Sequence, residues 1–222
     1  MTSAITTHRR IAVLASGRGS NLQAIIDAIS AGRLDAELVG VFSDKPGAHA
    51  LERVPAALRW SADAKSFPFR EAFDAALADA VDAVAPDWIV CAGYMRILGA
   101  DVVRRFHGRL LNIHPSLLPR YRGLHTHRRA LEAGDREHGA SMHFVVPELD
   151  AGAVIAQARI PIEPGDTPET LAERLLPAEH RLLVATLAVC LDGRVAERDD
   201  RVHVDGHPLF TPLQLDCDAL TV

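Results

Sequence analysis

The chain has 222 residues, 48% hydrophobic and 24% charged, with a formal net charge of −5. These proportions exclude a disordered chain and allow a substantial globular core. The acidic balance argues against a dedicated nucleic-acid binder, and no run approaches the ~20 apolar residues of a membrane helix.

Residues 11–15, behind His8, Arg9 and Arg10, read as a buried strand too short for a signal-peptide core. Residues 21–31 form a helix with Leu22, Ile25, Ile26 and Ile29 on one face, and Gly32 stops it. A second strand covers 38–42 and ends at the turn-forming Ser43-Asp44-Lys45-Pro46-Gly47. A long helix over 67–84 follows, then a strand over 88–92 behind Pro86, a short helix over 101–106 and a strand over 110–114. This alternation predicts an α/β, Rossmann-like, mostly parallel sheet with helices on both faces.

The second half changes character. A helix over 126–133 has Thr126 as its expected cap, and strands over 141–146 and 154–162 are joined by a long hairpin-like loop. The C-terminal part of the sheet is therefore mixed or antiparallel. A helix from 168 to about 191 begins with Thr167 as cap, Pro168 at its first position and Glu169 in its first turn. Pro177 inside it is expected to kink or divide it. A terminal hairpin follows over 194–204, and the residues from 208 onward read as a mobile tail. Cys91, Cys190 and Cys217 form no CxxC pair and read as the reduced thiols of a cytoplasmic protein.

Three segments carry chemistry. Asn112 and His114 lie two apart on a strand, so they share a face, and Pro115 stops the strand beside them. The carboxyl end of such a strand is where open α/β sheets bind ligands. An amide donor beside a group that titrates near neutrality suits acyl or formyl transfer. Ser16-Gly17-Arg18-Gly19-Ser20-Asn21 links the first strand to the first helix. Its glycines and the helix N-terminus suit an anion, although it matches neither the dinucleotide fingerprint nor a Walker loop. Gly93-Tyr94-Met95-Arg96-Ile97-Leu98 offers an apolar slot after a strand. Asp150 sits on the long loop, where folding back toward His114 would orient the imidazole. His125, His127, His138 and His143 raise a zinc reading, but the ligand set is incomplete.

Taken together, residues 16–23, 93–98, 111–127, 138–145 and 148–152 closely resemble the folate-dependent glycinamide ribonucleotide formyltransferases. The Asn-Ile-His-Pro-Ser-Leu-Leu-Pro block is specific for the wider 10-formyltetrahydrofolate family. The Gly-Leu-His-Thr-His continuation points to the ribotide branch. The resemblance implies a single formyltransferase domain, with a ribotide-phosphate half over 11–115, a folate-loop half over 116–205 and a tail over 206–222. It implies formyl transfer from 10-formyltetrahydrofolate, as co-substrate, to the amine of glycinamide ribonucleotide in purine biosynthesis, without a metal. Asn112, His114 and Asp150 would be catalytic, and Gly19, Ser20, Asn21 and Glu179 would hold the ribotide. Arg70, Met95, Arg96, Ile97, Leu98, Asn112, Val146, Pro147, Glu148, Leu149 and Asp150 would bind the folate. Its partners would be small molecules, with no nucleic acid and no membrane, and the chain would be a monomer or homodimer. Three positions depart from the pattern: Leu176 in place of a glutamine, Arg18 in the phosphate turn, and Ala151 in place of a glycine. Methionyl-tRNA formyltransferases and formyltetrahydrofolate hydrolases share blocks but carry an additional domain. A non-catalytic phosphate-ligand module is the alternative of a different class.

Overall fold

The structure is a computed structural model that describes residues 9–221, so His8 and the segment before it lie outside it. Strands β1 (Arg9–Leu14), β2 (Ala36–Ser43), β3 (Arg59–Ser61), β4 (Trp88–Cys91) and β5 (Leu110–His114) are parallel neighbours in the order β5-β4-β1-β2-β3. Helices α1 (Ser20–Ser30), α2 (Arg70–Ala83) and α3 (Ala100–Arg105) lie between them in sequence. After α4 (Thr126–Glu132), the antiparallel strands β6 (Glu137–Phe144) and β7 (Val154–Pro161) continue the sheet beyond β5. The α/β Rossmann-like architecture with a mixed C-terminal part is as the sequence predicts.

Side chains alternate across β1, so one strand feeds two cores. Ile11 and Val13 join residues of α1 and of α5 (Pro168–Leu191) on one face. Ala12 and Leu14 join residues of α2 and α3 on the other. Helices therefore cover both faces, which is why residues 11–14 of β1 and the whole of β4 are apolar rather than alternating.

Four expectations need correcting. The α2 helix starts at Arg70 rather than at 67, because Phe67 and Phe69 are extended. Thr126 is the first residue of α4 and caps nothing; the cap position is His125, in a left-handed conformation at φ 61°. Pro177 does not divide α5, which runs unbroken for 24 residues behind a Thr167–Thr170 capping box. Pro177 and Glu173, whose carbonyl loses its donor, are both exposed, so water can take up the lost bond. Finally, within the expected tail over 206–222, the described residues 206–221 are not a tail. Following the hairpin β8 (Val195–Arg198) and β9 (Arg201–Val204), β10 (His207–Pro208) completes a three-stranded sheet. Then β11 (Leu213–Asp216) pairs parallel to β7 and antiparallel to β12 (Ala219–Thr221), extending the main sheet to nine strands.

Candidate active site

From β1 the chain runs outward through β2 and β3, then returns to place β4 on the other side of β1. That reversal opens a crevice at the carboxyl ends of β1 and β4, the position where such sheets bind ligands. Ser16 ties its rim together. Its N–H donates to the Gly93 carbonyl (3.1 Å), its hydroxyl donates to Asp44 (2.5 Å) and accepts from the Met95 N–H (2.9 Å). The crevice is a cleft of about 540 Å³ whose lining includes the polar Asn21 and Glu179 and the apolar Met95 and Leu149.

Asn112 and His114 face this cleft from β5, as alternation along the strand requires. The 145–153 loop folds back over them and delivers Asp150. The Asp150 carboxylate accepts from the Gly123 N–H (2.8 Å) and lies 3.4 Å from His114 Nδ1 and 3.4 Å from Asn112 Nδ2. His114 Nε2 lies 3.0 Å from the Tyr121 carbonyl. Both ring nitrogens thus face acceptors, and only the doubly protonated ring can donate to both. Asp150 holds a left-handed backbone at φ 48°, strain of the kind that persists where a side chain must be aimed.

His143 completes the cluster and was not singled out for it by the sequence reading, which weighed it only as a metal ligand. It stands opposite Asn112 on β6. Its Nδ1–H donates to the Phe144 carbonyl (2.8 Å), so Nε2 carries the lone pair that accepts from Asn112 Nδ2 (3.0 Å). Burial pushes the His143 pKa well below its ordinary value and keeps the ring neutral, as this pairing needs. Only the antiparallel β5–β6 register brings the two together.

The remaining expected residues fall in three groups. Asn21, Met95, Ile97, Leu98, Val146, Pro147, Leu149 and Glu179 line the cleft. Burial raises the Glu179 pKa to about 7, against a hydrogen bond from Asn21 that lowers it. Arg96 also lines the cleft, but its guanidinium sits over the Phe73 ring and faces Asp74. Arg70 lies in an adjoining groove with Ile97 and Pro147, donating to the Ile97 carbonyl (2.6 Å). Gly19, Ser20 and Glu148 do not line the cleft. Gly19 is left-handed (φ 75°) and shapes the turn that leaves the first N–H groups of α1 free. A Cβ there would come within 2.8 Å of the Ala50 backbone. Ala151 is not left-handed, so no backbone conformation calls for glycine there. The four histidines of the zinc reading do not assemble. His127 and His138 stack edge to face at 4.9 Å, while His143 is committed to Asn112.

Residues 9–187 match the family described as "Formyl transferase". The chain belongs to the formyl transferase family. It is 47% identical to the phosphoribosylglycinamide formyltransferase of Escherichia coli K12 over 201 residues, covering 90% of this chain and 95% of that one. It is also 47% identical to the trifunctional purine biosynthetic protein adenosine-3 of Drosophila melanogaster over 189 residues, 83% of this chain and 14% of that one. The solved phosphoribosylglycinamide formyltransferase of Coxiella burnetii superposes with a TM-score of 0.86 at 45% identity, over 91% of this chain and 96% of that chain. A formyltetrahydrofolate deformylase from Pseudomonas syringae shares the fold at a TM-score of 0.79 and 26% identity, over 90% of this chain and 66% of its own. In this formyl transferase Cys91 lines the same cleft, but burial and then Asp150 push its thiol up to about 12, so it offers no thiolate nucleophile.

Proposed function

We propose that this chain transfers the formyl group of 10-formyltetrahydrofolate to the amine of N1-(5-phosphoribosyl)glycinamide, giving the N-formyl ribotide and tetrahydrofolate in purine (IMP) biosynthesis. The observation that carries the reading is the convergence of Asn112, His114, His143 and Asp150 on one wall of the cleft. The names of the relatives support the acceptor. The polar lining at Asn21 and Glu179 would take the ribotide, its phosphate at the free N–H groups that open α1. The apolar lining at Met95, Ile97, Leu98, Val146, Pro147 and Leu149 would take the folate.

The amine nitrogen attacks the formyl carbon, and negative charge gathers on the formyl oxygen. Asn112 has two amide hydrogens; His143 holds one, and the other, at 3.4 Å from Asp150, is weakly engaged and free to be shared with that oxygen. The His114 N–H toward Asp150 is equally long and serves as the second donor. The carbon then parts from the folate nitrogen, and the proton lost by the amine reaches that nitrogen through Asp150 or a water it holds. Hydrogen-bond donors meet the developing charge, so the reading calls for no metal.

The test is release of tetrahydrofolate from 10-formyltetrahydrofolate, with and without the ribotide. Ribotide-dependent release with a formylated product is expected, and equal release without ribotide would make the chain a hydrolase. Losing Asn112 or His114 to alanine should cost ~10²–10³ in kcat, as for other preorganised oxyanion donors. Asp150→Ala should abolish transfer while the ribotide still binds; near-normal turnover in these variants would overturn the mechanism.

A further inference from the structure

Away from the cleft, the turn after α3 meets the tip of the β8–β9 hairpin. His107, Glu197 and Asp200 each offer one ligand atom there, all within 4.8 Å of one another. Glu197 is the unusual member. Its side chain is 1% exposed, and neither buried carboxylate oxygen makes a hydrogen bond of ordinary geometry. Burial and Asp200 oppose its charge, and among the described residues the His107 ring and the Gly108 backbone N–H favour it. A buried carboxylate left this way is costly, and two carboxylates converging on a single imidazole are short of positive charge.

We propose that His107, Glu197 and Asp200 form a site for one divalent transition-metal ion of the zinc type. An imidazole nitrogen with two carboxylate oxygens is a donor set that zinc accepts, leaving a fourth position for water. Calcium would want six or more oxygens, and magnesium a near-ideal octahedron. Ligands about 2.1 Å from a tetrahedral ion stand about 3.4 Å apart. His107 Nε2 and Glu197 Oε2 are already 3.6 Å apart, so Asp200, exposed at the hairpin tip, has the larger movement to make. The ion would tie the small C-terminal sheet to the Rossmann-like half. None of the three residues lines the cleft, so its effect falls on stability rather than on turnover.

The experiment is calorimetric titration of the chelator-treated full chain with Zn²⁺ alone, repeated on His107→Ala, Asp200→Asn and Glu197→Gln. The first two alter exposed side chains and leave the core intact. One saturable equivalent is expected, weakened about tenfold or more in each variant. Zn²⁺ should also raise Tm in the parent and not in His107→Ala. Absence of saturable binding overturns the proposal. So does an unchanged affinity in His107→Ala or Glu197→Gln, which would place the ion on other histidines. Because neither readout uses formyl transfer, the outcome is independent of the function proposed above.

Discussion

The wall of the cleft is organised around the lone pair of His143. A neutral ring with Nδ1–H on the Phe144 carbonyl can only accept at Nε2, and that fixes which way the Asn112 amide points. His143→Ala should therefore lower kcat by about tenfold through a misaimed Asn112, with little change in KM, since the ring itself need not touch substrate. An equal rise in KM would show instead that His143 binds substrate directly. Glu179 makes a different prediction. Its pKa in the folded chain is raised to about 7 from 4.5, so the folded state holds the proton more tightly than the unfolded state does. That contribution to stability is fully present below about pH 4.5 and is lost as pH rises through about 7. Glu179→Gln, which keeps the shape without the charge, should gain up to about 3 kcal/mol over the parent at pH 8, and the gain should vanish near pH 4. Denaturant melts at the two pH values decide it.

Among the elements, the 145–153 loop is the one on which the site depends. It leaves β6 at Phe144 and must return tightly, and Gly152 is the point of closest approach. A Cβ at Gly152 would stand 1.9 Å from the Phe144 carbonyl oxygen, so alanine there forces the backbone apart. Gly152→Ala should cost about 1–3 kcal/mol of stability and displace Asp150, two residues earlier. Activity should fall by more than the loss of folded protein accounts for, which kcat per folded molecule, with folding followed by circular dichroism, measures. Ala151→Gly, at a position that is not left-handed, should leave kcat per folded molecule unchanged and cost at most about 1 kcal/mol, through the freer unfolded chain. The loop thus tolerates the alanine that departs from the family pattern but not one a residue further on.

At the scale of the molecule, the last strands belong to the main sheet. Leu213 is buried and opens a strand that pairs with β7, itself the neighbour of β6 and so of His143. Leu213→Ala should destabilise the whole chain by about 2–4 kcal/mol in a single cooperative melt. A separate low-temperature transition that leaves the rest of the melt unchanged would mean that these residues are an independent appendage. They were unreadable from sequence because the strands are short, four and three residues, and part exposed, so too few positions show alternation.

The sequence by itself determined what local patterns can carry. The apolar runs of β1, β4 and β5, the Thr167-Pro168 start of α5, and the Asn112-Ile113-His114 spacing each report on neighbours within a few residues. The Asn112–His114 pair and the likeness of its surrounding block to formyl transferases were therefore legible in full. Tertiary structure alone decided what depends on partners far away in the chain. It set His143 across from Asn112, swung Asp150 over both, turned Arg96 toward Asp74 and gave the C-terminal strands a partner in β7. Register and loop closure are properties of two segments meeting, and neither segment records the other in its own periodicity.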